Sequence, residues 1–262
     1  MLNVTLIPCY SDNYAYLLST PGSDEVALVD GCEAAPIVAA LGGRRLTAIL
    51  ATHHHPDHVG GNLELREHFP AAAIYGHAAE LADGQRIPGQ TIGVADGEAG
   101  SILGRRFLAL HVPGHTLTAV AFYFPDDGLV FTGDTMFGAG CGRLFEGTPL
   151  QLHTSLTRLA QLPPSTQVYS GHEYLARNLQ FARQVEPANV AMQQREQDCL
   201  ARREQGLPCE PSTIATELAT SPFLRCDVSS VQAAVATRPT ELQAELSTVE
   251  VFARLRRWRN SF

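Results

Sequence analysis

The segment THHHPDH at residues 52–58 carries the densest group of potential metal ligands in the chain. Imidazole nitrogens and carboxylate oxygens are donors that zinc and similar divalent metals prefer. His53 and His55 alternate along a predicted extended loop and can reach one ion from the same side. Asp57 and His58 follow a proline bend and can face a second ion. The spacing therefore allows a site for two metals, although a histidine-rich surface loop would have the same composition.

Three later segments each place one more potential ligand just after a predicted strand. They are PGHT with His115, TGDT with Asp134 and SGHE with His172. A glycine precedes each of these residues and lets the backbone turn tightly. Side chains that leave corresponding strand ends would line one edge of a sheet. Together the segments predict one coherent site.

Short apolar runs separated by turns predict the strands that carry these segments. The predicted strands are Val4–Ile7, Tyr14–Ser19, Glu25–Val29, Leu46–Ala51, Ala73–Tyr75, Phe107–Val112, Val120–Phe124, Leu129–Phe131 and Gln167–Tyr169. Helices are predicted between some of them, at Ala35–Leu41, Gly61–His68 and Leu150–Gln161. Strands interleaved with only a few helices favour an α/β sandwich over strict β–α–β alternation.

From about Tyr174 the pattern changes to helices broken by prolines. The predicted helices are Tyr174–Val185, Asn189–Gln205, Ser229–Ala236 and Thr240–Trp258. No further strand is expected in this part of the chain. We therefore predict one domain over residues 1–172, which carries the potential ligands, and a helical domain over residues 173–262.

Composition and charge restrict the classes of function. The chain has 262 residues and a net charge of −8, which argues against a general nucleic-acid or membrane-surface binder. No apolar run approaches the roughly 20 residues of a transmembrane helix. All 19 basic residues are arginine, which excludes a Schiff-base lysine and a P-loop lysine.

Three further features bear on location and mechanism: the cysteines, the amino terminus and the motif of a serine nucleophile. The six cysteines contain no CxxC pair and are expected to be reduced thiols. The amino terminus shows no basic leader, which favours a cytoplasmic location. No GxSxG motif is present, so the sequence offers no serine nucleophile of the α/β-hydrolase type.

The ordered set H-x-H-x-D-H, His, Asp and His resembles the metallo-β-lactamase superfamily, which implies an αββα sandwich. Within that superfamily, GDTMF at residues 133–137, GCGRLFEG at residues 140–147 and GHEY at residues 171–174 resemble the glyoxalase II family. This family, also called the hydroxyacylglutathione hydrolases, has a C-terminal helical domain that contributes to substrate binding. The resemblance spans nearly the whole chain, from Asn13 to Phe262.

The resemblance implies a catalytic role, as metal ligands, for seven residues. His53, His55 and His115 would hold one metal, Asp57, His58 and His172 would hold a second, and Asp134 would bridge the two. Two divalent ions per chain are thus implied, zinc first, with iron or manganese compatible with the same donors.

The activity implied by the resemblance is thioester hydrolysis. A hydroxide bound between the two ions would attack the carbonyl of an S-2-hydroxyacylglutathione. The expected substrate is S-D-lactoylglutathione, which would give glutathione and D-lactate in the detoxification of methylglyoxal. Because thiolate is a good leaving group, a strong general acid is not needed.

The same resemblance implies contacts with the glutathione part of the substrate. The matching positions are Arg143, Phe145, Tyr174, Arg256 and Arg259. Arginine can hold the carboxylates of glutathione through paired hydrogen bonds. Phe145 stands where the family commonly has tyrosine, and Arg143 and Arg259 stand where lysine is frequent. Without the resemblance, the basic tail would be interpreted as a solvated helix face.

Other classes of function are open alternatives. A mononuclear-iron glutathione persulfide dioxygenase of the same superfamily would leave Asp57 and His172 without a ligand role. A non-enzymatic structural metal-binding module would close its coordination shell with four ligands, whereas seven candidates are present. A β-lactamase is disfavoured by the helical C-terminal part, and an RNA-processing nuclease by the net charge of −8. The sequence does not indicate an oligomeric state.

Overall fold

A first mixed sheet is built from the N-terminal third of the chain. The computed structural model describes residues 1–82, 86–236 and 246–262. The strands of this sheet, in their hydrogen-bonded order, are β1 (Asn3–Cys9), β2 (Asn13–Ser19), β3 (Glu25–Val29), β4 (Arg45–Leu50), β5 (Ala73–His77) and β6 (Ile92–Val94). β1, β2 and β3 pair antiparallel, and β3 to β6 pair parallel.

A second mixed sheet follows. Its strands are β7 (Ala99–Ile102), β8 (Arg105–His111), β9 (Val120–Phe124), β10 (Leu129–Gly133), β13 (Gln167–Ser170) and β14 (Ser212–Thr213), and a separate hairpin joins β11 (Met136–Phe137) to β12 (Gly140–Cys141). The sheet order is β14–β13–β10–β9–β8–β7. Because β10 and β13 are parallel, their carboxyl ends lie at the same edge.

The two sheets pack face to face through an aromatic core. Tyr16 and Leu18 of β2 belong to the same buried cluster as Phe122 of β9 and Phe131 of β10. The ring centroids of Tyr16 and Phe131 are 5.5 Å apart. The intervening Leu17 belongs to a different cluster on the outer face of the first sheet. β2 is therefore buried on both faces, as expected for a sheet between two layers.

Helices cover both outer faces. The helices against the first sheet are α1 (Ala34–Leu41), α2 (Pro56–Val59), α3 (Asn62–His68) and α4 (Ala78–Ala82). α5 (Pro149–Ala160) lies against the second sheet and begins with a capping box formed by Thr148 and Gln151. Leu152 and Leu156 of α5 are fully buried against Val112 and neighbouring residues. The layers are helix, sheet, sheet and helix, as predicted.

The C-terminal part is mainly helical. Its helices are α6 (Leu175–Val185), α7 (Val190–Glu204), α8 (Ile214–Thr220), α9 (Ser229–Ala236) and α10 (Thr248–Ser261), with a 3₁₀ turn at Pro222–Leu224. Phe252 and Leu255 of α10 enter the buried cluster that also contains the apolar face of α5. This packing fixes the basic tail against the sandwich. Within the described ranges, no helix has the length and apolar character needed to span a bilayer.

The predicted elements agree best where the apolar pattern is long. β3 and β9 have the predicted bounds, whereas the short edge strands β6 and β7 were not predicted. The expectation of no strand after residue 174 is wrong, because the two residues of β14 pair with β13. Residues 240–245 of the predicted helix Thr240–Trp258 lie outside the described residues, and α10 begins at Thr248.

Candidate metal centre and adjoining cavity

Loops at one edge of the sandwich position the predicted ligands. The loop after β4 carries His53 and His55, and α2 carries Asp57 and His58. The other three, His115, Asp134 and His172, lie in the segments that follow β8, β10 and β13. All seven side chains, which come from separate parts of the sequence, therefore meet at this edge.

The ligand atoms form three overlapping groups. These are His53, His55 and His115; His53, His58 and Asp134; and Asp57, His58 and His172, each with its ligand atoms within 4.8 Å of one another. His55 Nδ1 lies 3.0 Å from Nε2 of both His53 and His115. Asp134 Oδ2 lies 3.4 Å from Nε2 of both His115 and His172, so Asp134 stands between the two ends of the cluster.

Hydrogen bonds on the far side of the rings orient three imidazoles. His58 Nδ1 donates to Asp30 Oδ2 at 2.9 Å, and His172 Nδ1 donates to Asp12 Oδ1 at 2.8 Å. His115 Nδ1 donates to the backbone oxygen of Arg143 at 2.9 Å. With the proton on Nδ1, the lone pair of Nε2 is directed at the centre of the cluster.

Asp30 also orients a fourth imidazole, that of His53, through Thr52. Thr52 Oγ1 donates to Asp30 Oδ2 at 2.9 Å, and Thr52 N donates to Oδ1 at 2.8 Å. Because the hydroxyl proton is used there, Thr52 Oγ1 accepts a hydrogen bond from His53 Nδ1 at 3.1 Å. Asp30 has φ of 60°, a left-handed conformation that is uncommon outside glycine and often marks a functional constraint.

The donor set fits divalent cations. Lone pairs of imidazole nitrogens face one another at 3.0 Å around His55 and at 3.3 Å between His58 and His172. Asp134 Oδ1 is buried and has no hydrogen-bond partner among the described residues. A cation between these atoms would satisfy the nitrogens and the carboxylate together. The residues are therefore suited to hold metal.

The pKa shifts of His53 and His55 agree with this chemistry. Burial lowers the pKa of His53 well below its usual range and lowers that of His55 to about 4. These rings are therefore neutral at pH 7, which is the form that binds metal. Burial opposes charge on His58 and His172 as well, but the Asp134 carboxylate raises the pKa of both.

Glycine allows the backbone to approach the cluster closely. A Cβ atom at Gly171 would lie 2.5 Å from Asp134 Oδ1 and 2.6 Å from His58 Cε1. Any larger residue at this position would displace one of these two side chains. The glycine before His172 is therefore required by space as well as by the turn.

His54, between two of the predicted ligands, faces away from the centre. Its Nδ1 lies 3.2 Å from Glu80 Oε1, and its Nε2 lies 3.3 Å from Glu146 Oε1. Arg86 donates to Glu80 at 2.6 Å and to Glu146 at 2.7 Å. Glu146 Oε2 also accepts from the backbone nitrogen of Leu117 at 2.7 Å. This network connects α4, the loop after β4 that carries His53 and His55, and the segment after β12.

A cavity of about 540 Å³ opens beside the metal cluster. All five predicted substrate contacts line it: Arg143, Phe145, Tyr174, Arg256 and Arg259. The volume is typical of small-molecule sites in proteins. The structure thus brings the predicted ligands and the predicted substrate contacts to one place.

The two aromatic residues of this group lie against the histidines. The Tyr174 ring stacks on His172, with centroids 4.7 Å apart and an interplanar angle of 5°. The Phe145 ring makes edge contacts with His55 and His115 at centroid distances of 5.4 and 5.2 Å. Phe145 is 63% exposed, so its ring forms part of the open rim of the cavity.

The arginines differ in their surroundings. Arg256 is only 5% exposed, and its Nη1 donates to the backbone oxygen of Cys141 at 2.8 Å. Arg259 is half-buried and its Nη2 donates to Asn178 Oδ1 at 3.2 Å. Burial, and then the positive charge of Arg256, lowers the pKa of Arg259 to about 10. Arg259 is therefore placed where an anion would relieve the repulsion between guanidinium groups.

This end of the cavity carries unpaired positive charge. Arg177 of α6 joins the arginines at positions 143, 256 and 259 in the lining. In the part of the chain that the structure describes, none of the four has a carboxylate within 4.0 Å. A ligand with carboxylate groups would supply the missing negative charge.

Sequence reasoning missed several residues that act on the cluster. Asp12 Oδ1 accepts a hydrogen bond from His172 Nδ1, and Asn13 Nδ2 donates to Asp57 Oδ2 at 3.0 Å. Asp30 was not singled out at all. An acidic residue directly after a buried strand was the available signal, because it is the pattern that also marks Asp134.

Family models match both parts of the chain. Residues 11–172 match the model described as "Metallo-beta-lactamase superfamily", and residues 173–262 match the model described as "Hydroxyacylglutathione hydrolase C-terminus". The sandwich and the histidine–aspartate cluster thus define a metallo-beta-lactamase fold with a divalent metal site and a C-terminal helical domain.

Relatives narrow the assignment. The chain is 45% identical to the hydroxyacylglutathione hydrolase of Synechococcus sp. (strain JA-3-3Ab) and 44% identical to that of Pseudomonas aeruginosa (strain PAO1), with all of each chain covered. The chain belongs to the hydroxyacylglutathione hydrolase family. Among solved structures, TTHA1623, crystallised in a di-iron-bound form, is similar at a TM-score of 0.57 and 28% identity, over 85% of this chain and all of that one.

Proposed function

We propose that the protein is a metal-dependent thioester hydrolase that converts S-2-hydroxyacylglutathiones to glutathione and a 2-hydroxy acid. S-D-lactoylglutathione is the proposed substrate, which places the reaction in the detoxification of methylglyoxal. One observation carries the proposal: seven potential metal ligands lie beside a cavity that is also lined by four arginines, none of which has a carboxylate within 4.0 Å among the described residues. The reactive carbonyl of a glutathione thioester would lie at the metal ligands, and its carboxylates would lie at the arginines.

The proposed cofactor is a pair of divalent ions. His53, His55 and His115 would hold one ion and Asp57, His58 and His172 the other, with Asp134 between them. Zinc is the first candidate, and iron or manganese suits the same donors. The buried Asp134 oxygen without a partner and the facing nitrogen lone pairs support this assignment. When bound, such ions lower the pKa of a coordinated water and polarise a carbonyl group.

The residues of the chain bind and orient the substrate. Arg259 and Arg143 would take the glutathione carboxylates, since paired N–H donors match a carboxylate. Arg256 would contact the substrate and would also position the segment at residues 140–142 through its hydrogen bond to the backbone oxygen of Cys141. Tyr174 packs on His172 and Phe145 packs on His55 and His115, and the two rings would contact the acyl group beside the cluster.

The two parts of the chain would have different roles. We assign residues 1–172 to a catalytic domain and residues 173–262 to a helical domain that contributes Tyr174, Arg256 and Arg259. We also propose a cytoplasmic location without nucleic-acid or membrane partners. The six cysteines, all free, and the net charge of −8 support this.

The decisive experiment measures hydrolysis of S-D-lactoylglutathione and metal content on the same purified sample. We expect rapid turnover with close to two metals per chain, and loss of turnover when a chelator removes them. Restoring activity with zinc, iron or manganese in separate samples would identify the metal. Absence of hydrolysis, with a single iron and oxygen consumption on glutathione persulfide, would assign the protein to the dioxygenase alternative. Absence of any turnover on either substrate would favour a structural metal-binding module.

A further inference from the structure

Two of the six cysteines meet behind the active-site edge, where α7 and the following loop come together. Cys199 lies in the C-terminal half of α7, and Cys209 lies in the loop between α7 and β14. Their Sγ atoms are 2.7 Å apart, about 0.7 Å more than the length of a disulfide bond. A bond between the two sulfurs therefore requires only a small movement.

The surroundings favour a reactive thiol at Cys199. The hydrogen bond with Cys209 lowers the pKa of Cys199. Burial and the Glu173 carboxylate oppose this shift, and the guanidinium groups of Arg195 and Arg203 support it. The same hydrogen bond, together with burial, raises the pKa of Cys209. Because the thiolate is the nucleophilic form, and because Arg195 and Arg202 line the same cavity as the two sulfurs, this direction favours Cys199 as the attacking sulfur.

A cavity of about 170 Å³ gives access to this pair. Both cysteines line it, together with Arg195 and Arg202. Its lining has no residue in common with the larger cavity beside the metal cluster. Cys199 is only 2% exposed, whereas Cys209 is partly exposed. A small oxidant would therefore reach the pair through this cavity, without entering the proposed active site.

A second pair of neighbouring thiols provides an internal comparison. Cys9 lies beside Cys32 in the core between the first sheet and its helices. Cys9 is as buried as Cys199, at 2% exposed, but its partner Cys32 is 0% exposed and neither of the two lines the 170 Å³ cavity. This pair has proximity without access. It should stay reduced under conditions that oxidise an accessible pair.

We propose that Cys199 and Cys209 form a site of reversible oxidation, at which a peroxide closes an intramolecular disulfide bond. The Cys199 thiolate attacks one oxygen of hydrogen peroxide, the O–O bond breaks, and the departing hydroxide becomes water by taking up a proton from solvent, equal to the one that Cys199 released on ionisation. The Cys209 sulfur then attacks the resulting sulfenic acid and displaces its hydroxyl group, which leaves as a second water with the Cys209 proton. Two thiols and one peroxide thus give one disulfide and two waters.

The bond would secure a segment that contacts the active-site edge. Cys209 N donates to Glu173 Oε2 at 2.7 Å, and the Tyr14 hydroxyl donates to the same oxygen at 2.6 Å. Glu173 directly follows His172. The hydrogen bond from Cys209 to Glu173 is already present when the two cysteines are reduced. The disulfide should therefore stabilise the loop without displacing His172. We expect the melting temperature to rise by about 5 °C.

The test treats the purified full-length protein with hydrogen peroxide and counts free thiols after denaturation. We expect the six thiols of the chain to fall to four, with a Cys199–Cys209 cross-linked peptide in mass mapping and full reversal by dithiothreitol. A count that stays at six, or a cross-link between Cys9 and Cys32 instead, would overturn the proposal. The cross-link is read in the wild-type chain, so the result does not depend on the folding of a variant.

Single-cysteine variants test which of the two sulfurs attacks the peroxide. Cys209→Ser should leave Cys199 to accumulate sulfenic acid, which dimedone traps, whereas Cys199→Ser should trap none. Cys226→Ser is the matched control, because Cys226 is a buried cysteine of another cluster and should leave the cross-link unchanged. Trapping at Cys209 in Cys199→Ser would contradict the assignment of the attacking sulfur.

Discussion

The metal cluster and the arginine-lined end of the cavity lie side by side but are built differently. Five of the seven cluster residues are at most 8% exposed, and hydrogen bonds to groups such as Asp30 and Asp12 hold their rings in place. At the other end, Arg143 is exposed and Arg259 is half-buried, and only Arg256 is held in place, by its hydrogen bond to Cys141. One end is therefore rigid before any ligand binds, whereas the other can adjust to it.

This difference separates two kinds of functional effect. Changes in the rigid cluster should remove metal and turnover together, because the geometry of the donors is fixed in advance. Changes at the arginine end should act mainly on substrate affinity, because the long side chains bind ground state and transition state alike. Substitutions at the two ends can therefore confirm or break the comparison.

The largest effect is expected for Asp134→Ala. Loss of the carboxylate between the two ends of the cluster should lower kcat/KM about 10³-fold or more and reduce bound metal. Metal content and thioester hydrolysis are measured on the same sample. Asp126→Ala removes an exposed carboxylate as control. An active Asp134→Ala variant with full metal content would exclude Asp134 from the site.

Asp30→Asn should weaken metal binding by roughly 10- to 100-fold. Asp30 accepts from His58 directly and orients His53 through Thr52. In the variant, His58 loses its anionic partner, and the Thr52 hydroxyl that orients His53 loses its acceptor. Competition with a chromogenic chelator gives the metal affinity. Asp96→Asn, at a carboxylate whose side chain is 52% exposed, is the matched control. If the Asp30 variant raised KM but kept its metal affinity, the rigid end would not depend on these contacts.

Arg259→Ala should raise KM about 10-fold and change kcat little, because the protein loses a charged group that donates hydrogen bonds to the substrate. Arg257→Ala, at an exposed position on the same helix, should leave both constants unchanged. Arg256→Ala should in addition lower stability, since it leaves the carbonyl of Cys141 without its buried donor. Steady-state kinetics and thermal unfolding distinguish the three variants. An unchanged KM in Arg259→Ala would remove this residue from the substrate contacts.

The smallest effect is expected for Phe145→Tyr. The added hydroxyl at the rim should supply one hydrogen bond to substrate and lower KM about threefold, while the ring keeps its contacts with His55 and His115. Phe145→Leu tests the ring alone and should raise KM. A Phe145→Tyr variant with the KM of the wild type would show that the hydroxyl finds no partner in this cavity.

The chemistry-bearing residues could be predicted because their signal is local. The segment at residues 52–58 and the glycines before His115 and His172 are visible in a few adjacent positions, and the structure does bring these residues together. The apolar runs predicted an α/β sandwich for the same reason, and the family resemblance implied its αββα layers. β14 could not be predicted, because two residues show no period and pair only once β13 is in place.

The sequence by itself determined which donors the protein has, that they leave strand ends, and which family it belongs to. Only the tertiary structure decided how those donors are held. Asp30 binds His58 across 28 positions of the chain, and Arg256 reaches Cys141 across 115. Partners so distant meet through the packing of whole sheets and helices, which depends on the summed burial of apolar surface. Local spacing reports side-chain chemistry, whereas orientation and unpaired charge are properties of the folded chain.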